Sequence, residues 1–354
     1  AEGSADALPT RLAPTTPAAT RVAPAGERWR RRAPLLAAAA LVALVALGVV
    51  LVAILGGGEG NALEAESFAT SSITVGATPG GIGVGEDGVW VGVEEEDRVK
   101  RIDPDSGEVA ESIRVSAGAD GSIAVGEGFV WVRSDGDTLT KIDPASGQVV
   151  DNPIELQIDF DGEVAVGEGS VWAANPSSDS VERIDPDSGR VRELEAAGLG
   201  PDLAVGEGSV WVTGDDTASV LRIDPDSGDV EDRIDLGGEE TILFDGSVAV
   251  GEGGVWVTNP ENDTLSRIDP DSAELDGRPI RLPEGFDGDV AVGGGAVWVR
   301  STSEGSVLRV DPDARRVVGR PISAGSSSSG KVVVGYGSAW VTQGDGDTVT
   351  RLEY

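Results

Sequence analysis

The sequence predicts an all-β fold: a seven-bladed β-propeller of four-stranded blades, closed by its own N-terminal strand and preceded by one transmembrane helix. Three observations carry this reading. A motif ending in Trp recurs seven times, an Asp-Pro hairpin motif recurs six times, and one long apolar run stands near the front.

VGEGSVW occupies residues 166–172 and again 205–211, and variants end at Trp90, Trp131, Trp256, Trp298 and Trp340. Successive tryptophans of this set lie 41, 41, 39, 45, 42 and 42 residues apart, the period of a propeller blade. The third copy shows how each unit parses. EVAV (163–166) is a short β-branched run, and GEG (167–169) is a turn whose glycines reach the positive φ of a tight hairpin. SVWAAN (170–175), SVERI (180–184) and RVREL (190–194) supply strands two, three and four.

Between strands three and four sits DPDSG. Its first Asp accepts from the turn backbone, Pro presets φ and Gly takes the left-handed position. The motif starts at Asp103, Asp185 and Asp224, with altered copies at Asp143, Asp269 and Asp311. Six hairpins for seven tryptophans leave the last unit, which ends at RLEY, without a fourth strand. SSITVG (71–76) is the spare strand at the other end, and pairing it beside residues 348–352 closes the ring and removes two exposed edges.

A feature present in every blade is read as scaffold. The seven tryptophans are expected between neighbouring blades, each with about 150–250 Å² of apolar surface to bury. The base that precedes each Ile-Asp or its equivalent (Arg101, Lys141, Arg183, Arg222, Arg267, Arg309, Arg351) is expected to pair with the acid two residues on.

Residues 35–55 are 21 positions without a charge, long enough to cross a bilayer as a helix. RWRRR (28–32) precedes them and acids follow, so the positive-inside rule places the N-terminus in the cytoplasm. The expected organisation is a disordered cytoplasmic tail (1–34), a transmembrane helix (35–55), a flexible stalk (56–70) and an extracytoplasmic propeller (71–354) in a single-pass cell-membrane protein.

Residues 1–56 carry six Arg against three acids, whereas the rest carries 21 basic against 59 acidic groups. So negative a domain repels phosphate backbones, which argues against a nucleic-acid partner. The chain contains neither Cys nor His, so thiolate chemistry, imidazole general bases and the commonest transition-metal ligands are excluded. No cofactor, metal site or catalytic residue is assigned.

The face carrying the second-to-third strand loops and the blade-to-blade connections is where the copies diverge. Its candidate ligand-binding residues are Arg133 and Arg300, the amides Asn175, Asn259 and Gln343, the acids Asp120, Asp161, Asp245 and Asp287, and the rings Phe160, Phe244 and Phe286. Together they would line a shallow polar site for a zwitterionic or carbohydrate-like ligand. FDG, as a blade-to-blade turn with an apolar plug, stays open as the alternative for the phenyl rings.

VGEGSVW followed by RIDPDSG resembles bacterial propellers related to streptogramin (virginiamycin B) lyase and the NHL-type sensor propellers, over residues 71–354. That resemblance implies the fold; the lyase chemistry, which uses His with an acidic residue and Mg²⁺, has no His here to carry it. The layout also resembles membrane-anchored bacterial Ser/Thr kinases, in which a linker and one span separate the kinase from an extracellular propeller. The expected function is therefore non-enzymatic ligand binding, sensing or protein interaction, with a small molecule, a cell-envelope component or a protein as ligand. A metal-assisted lyase-like enzyme and the sensor portion of a receptor kinase are the alternatives.

Overall fold

The computed structural model describes residues 68–354, apart from 86, 116–117, 119–120, 135–136, 158–161, 216–217, 238–244, 302 and 326–328. The predicted tail, transmembrane helix and most of the stalk lie outside the described residues. Among the described residues no helix is long and apolar enough to cross a membrane.

Seven antiparallel sheets follow one another along the chain. Blade 1 runs from Pro79–Gly85 to Val109–Arg114, blade 2 from Ile123–Gly126 to Gln148–Glu155, and blade 3 from Val164–Gly167 to Val191–Glu195. Blade 4 runs from Leu199–Gly206 to Val230–Asp235, and blade 6 from Val290–Gly293 to Arg316–Ser323. Blade 5 starts at Val248–Gly251, but its fourth strand is split into Glu274–Leu275 and Ile280–Arg281. Gly277 at φ 70° and Pro279, which has no N–H for the ladder, account for the break.

Blade 7 holds Val332–Gly335, Ser338–Thr342 and Thr348–Glu353, and its fourth strand is Ala69–Thr74 from the other end of the chain. The pairing runs from Ala69 opposite Glu353 to Thr74 opposite Thr348. The closing strand thus begins two residues earlier than the sequence suggests.

The hydrophobic core is seven cores, each lying between two blades. Trp172 of blade 3 packs with Leu199, Leu203 and Val210 of blade 4, and Trp340 of blade 7 packs with Ile82, Val89 and Val91 of blade 1. All seven tryptophans are fully buried. Six of them donate Nε1–H to the carbonyl at the end of their blade's innermost strand, as Trp172 does to Gly167 at 3.1 Å. In blade 1 the equivalent carbonyl, Gly85 O, accepts from the Tyr336 hydroxyl of blade 7 instead.

That strand-ending glycine is dictated by the neighbour. A Cβ on Gly167 would stand 2.7 Å from Val205 Cγ1 of the next blade, and the same clash recurs round the ring to Gly335 against Val84. The blades converge at the axis, and only a missing side chain admits the next blade.

The structure corrects two local expectations. In the GEG turns the glutamate itself is left-handed (Glu127, Glu168, Glu207 and Glu252 at φ 48–53°), followed by a left-handed glycine. Two positive φ values in a two-residue loop match the twist of the strands. The recurring base, meanwhile, does not serve chiefly its neighbouring acid. It lies opposite the Trp in register and, in six of the seven blades, over its ring, as with Arg183 at 5.4 Å from the Trp172 centroid, a cation–π contact. The acid two residues on caps its own turn, as Asp185 Oδ1 does by accepting Ser188 N–H at 2.8 Å. Arg351 with Glu353 at 3.4 Å is the pair that matches the expectation.

Candidate site at the mouth of the axial channel

Each innermost strand begins on the face that carries the blade connections, and the residue at its start stands at the rim of the axial channel. The seven equivalents are Gly81, Ser122, Glu163, Asp202, Ser247, Asp289 and Lys331. The four residues that follow each are nearly constant, yet this one runs from no side chain to a cation. The channel they open into has a volume of ≈ 920 Å³. A second pocket of ≈ 260 Å³ lies at its mouth, lined by Glu163, Asp202, Ser247, Asp289, Lys331 and Arg300 among others.

Ring side chains tie each blade to the next. Ser122 Oγ accepts Val164 N–H (3.1 Å), Asp202 Oδ2 accepts Val248 N–H (3.0 Å), Ser247 Oγ accepts Val290 N–H (3.2 Å) and Asp289 Oδ2 accepts Val332 N–H (2.6 Å). Glu163 is longer and reaches into the channel. Lys331 of blade 7 meets it there, Nζ to Oε1 at 2.9 Å, with Asp289 Oδ1 at 3.5 Å. The Lys331–Glu163 pair is a strut across the axis, joining blades three steps apart round the ring.

Three carboxylates share this one ammonium, and their proton affinities diverge accordingly. The side chains of Lys331, Glu163 and Asp289 keep 36, 25 and 15 % of their surface accessible, but only along the channel, so walls on all other sides still disfavour charge. On Lys331 burial is outweighed by Glu163, Asp289 and Asp202, which hold its pKa well above the usual value. Burial of Glu163 is overcome by Lys331 and a hydrogen bond with Ser122, and its carboxyl ends below the usual range. Asp289 is pushed up by burial, which Lys331 and the Val332 N–H only partly offset. Asp202 is pushed up to about 6 by burial, Lys331 opposing and the charges of Glu163 and Asp289 adding. It is the carboxylate that the lysine serves least.

The sequence-predicted residues fall into three groups. Arg133 and Arg300 line the channel and the mouth pocket respectively, and Asp245 lines the mouth pocket. Arg300 is buried at 2 % exposure; burial lowers its pKa against the pull of Asp289 and Asp345, and it donates to Ser329 O. Asn175, Asn259 and Gln343 are buried, with amides committed to backbone carbonyls of the blade connections: Gln157, Gly237 and Ala324. They fasten the face rather than present donors to it. Phe286 is buried in the core between blades 5 and 6, the apolar-plug alternative, and Asp287 is half-buried beside it. Asp120, Phe160, Asp161 and Phe244 lie outside the described residues.

Sequence reasoning missed Glu163, Asp202, Asp289 and Lys331. Arg133 and Arg300, which it did choose, stand two residues after their Trp, at the cross-strand neighbour of the ring, where in other blades Thr213, Thr258 and Thr342 brace the backbones of Asp202, Ser247 and Lys331. The signal was the variation immediately before each constant inner strand. Among the described residues no group of three or more acids is placed to hold a metal ion.

No model of a protein family matches the chain, and no curated protein matches it. Solved structures do share its fold. Virginiamycin B lyase from Staphylococcus aureus is 19% identical with a TM-score of 0.68, covering 81% of this chain and 100% of the lyase. A streptogramin B lyase is 16% identical at 0.69, covering 83% and 99%. BamB from Moraxella catarrhalis is 14% identical at 0.61, covering 81% and 98%. At these identities the likeness is one of fold, and it spans lyases and a protein of another kind alike.

Proposed function

We propose that the chain is a membrane-anchored, extracytoplasmic binding propeller whose small polar ligand sits at the connection-side mouth of the axial channel. The observation that supports this is the ring itself. Scaffold positions repeat from blade to blade, while the seven positions that converge on one opening differ and carry three carboxylates, an ammonium and two hydroxyls. A binding site on a symmetric ring needs such local asymmetry.

The anchor part of the reading rests on residues 35–55 and their flanking charges. Fractionating cells that express the full chain tests it: recovery in the membrane fraction, with the propeller accessible to external protease, is expected, and recovery in the soluble fraction would remove the anchor. An anchored propeller of this kind suits the sensing portion of a receptor.

The binding part is tested by a thermal-shift screen of small polar metabolites on the full chain in detergent, repeated on Glu163→Gln/Lys331→Met. Compounds that stabilise the wild type and lose at least tenfold in potency on the variant are expected. Compounds acting equally on both, or none acting at all, would move the ligand away from the mouth. Streptogramin-type lactones with Mg²⁺ belong in the same screen, and their turnover would replace binding by catalysis.

A further inference from the structure

Blade 7 alone has an outer strand that no hairpin tethers. In blades 1 to 6 a turn beginning at Asp103, Asp143, Asp185, Asp224, Asp269 or Asp311 ties the fourth strand to the third, whereas Ala69–Thr74 reaches Thr348–Glu353 from the far end of the chain. It pairs on one edge only, and five of its six residues are exposed. Three side chains anchor it. Ile73 and Val75 enter the core between blades 7 and 1, and Phe68 meets Trp298 edge-on in the core between blades 6 and 7, with ring centroids 5.9 Å apart. A short strand held in this way can open locally while the rest of the domain stays folded.

The same sheet carries the one cation of the ring. Its order runs from the closing strand through Thr348–Glu353 and Ser338–Thr342 to Val332–Gly335, and Lys331 stands immediately before the last. Backbone bonds on the connection face join the two ends of this sheet. Val75 and Gly76 donate to Asp347 O at 2.8 and 3.2 Å, and Thr78 donates to Gly346 O at 3.0 Å. Gly346 N–H donates to Gln343 O (2.8 Å) and Gly344 N–H to Ser329 O (3.2 Å). Thr342 and Lys331 then bond each other, Thr342 N–H to Lys331 O at 3.0 Å and Lys331 N–H to Thr342 Oγ1 at 2.8 Å. Thr78 and Pro79, where the chain leaves the strand, line the axial channel together with Gly344, Asp345 and Lys331. Release of the strand therefore unfastens the loop that seats Lys331 and removes Ile73 and Val75 from the core between blades 7 and 1.

We propose that the closing strand is a latch coupled to the mouth: the Lys331–Glu163 strut holds blade 7 in place across the axis, and breaking it loosens the docking of Ala69–Thr74. The strand, docked or released, is the two-state element, and the 2.9 Å contact between Lys331 Nζ and Glu163 Oε1 is made with blade 7 seated. Everything N-terminal of Phe68, including the apolar run 35–55, joins the propeller through this strand. The coupling depends on the propeller alone; its use as a signal from the mouth toward the membrane rests on the anchored reading above.

The test is hydrogen exchange, read peptide by peptide, on the full chain in detergent at pH 7.5. Wild type is compared with Glu163→Met, which keeps the reach of the side chain, removes the acceptor and stands in blade 3, far round the ring from the closing strand. Peptides spanning 69–78 are expected to exchange at least about fivefold faster in the variant, the scale of an ordinary coupling between sites. The fourth strands of blades 3 and 4, Val191–Glu195 and Val230–Asp235, should stay within about twofold of wild type, and Lys331→Met should reproduce the same pattern. Unchanged exchange of 69–78 in Glu163→Met would overturn the coupling, even if Lys331→Met loosened its own blade. Equal acceleration in all three regions would also overturn it, as general loosening. Recovery of the chain in the soluble fraction would remove the signal toward the membrane and leave the exchange result standing.

Discussion

Blade 4 carries two aspartates that began as the same chemical group and ended with opposite character. Asp224, at the solvent-side hairpin turn, accepts the N–H groups of Asp226 and Ser227 at 3.1 and 2.7 Å, and these bonds hold its carboxyl below the usual range. Asp202, at the start of the innermost strand, has one backbone donor among other carboxylates and is pushed up to about 6. The turn aspartate is repeated in six blades and completes a local motif. Its counterpart at 202 is matched in kind only at Asp289, and stands where burial and neighbouring carboxylates outweigh Lys331 and the donors that reach it. Scaffold carboxylates here are satisfied by their own loop, and site carboxylates by groups from other blades or not at all.

Removing the cation that serves the site should give the largest effect on this contrast. Lys331→Met leaves Glu163, Asp289 and Asp202 facing one another, and we expect a loss of about 2 kcal/mol at pH 8, discounted from a fully buried pair because the channel is wet. Without the ammonium the carboxyls titrate higher when folded, so the deficit should shrink as pH falls to 5; chemical denaturation at both pH values measures it.

Asp202→Asn should act in the opposite direction. A carboxyl whose folded pKa is raised to about 6 from 3.8 withdraws stability as pH rises through that window. The variant should melt above the wild type at pH 8, with the gap closing by pH 4.

Asp224→Ala removes a carboxyl whose folded pKa is lowered, so its contribution is present above the unfolded value and fades as pH falls below it. A small drop in melting temperature, the same at pH 8 and pH 5, is expected. The smallest change is at Ala273, which takes at φ 54° the left-handed place held by Gly in other copies of the turn. Ala273→Gly should stabilise by about 0.5 kcal/mol in the same denaturation assay.

The scaffold was legible because its determinants are local and repeated. Each Trp, each DPDSG turn and each two-residue loop declares itself within a few residues, and the count of six hairpins against seven tryptophans was enough to place the closing strand. The site was not legible by the same route. Lys331 and Glu163 are 168 residues apart and meet only because the ring closes. The length of their side chains, not any motif, lets them cross the axis. Conversely, Asn175, Asn259 and Gln343 look available in the sequence, yet the blade connections fold over them and take their amides. Arg133, Arg300 and Asp245 were found because they sit one step from the ring in register or on the same connections.

A double-mutant cycle on Lys331→Met and Glu163→Gln, followed by urea denaturation of the full chain at pH 8, tests the cross-axis arrangement most directly. A coupling of about 1 kcal/mol or more between residues of blades 3 and 7 is the predicted result. Additive effects of the two substitutions would mean that these side chains do not meet across the channel, and the mouth as described would not exist.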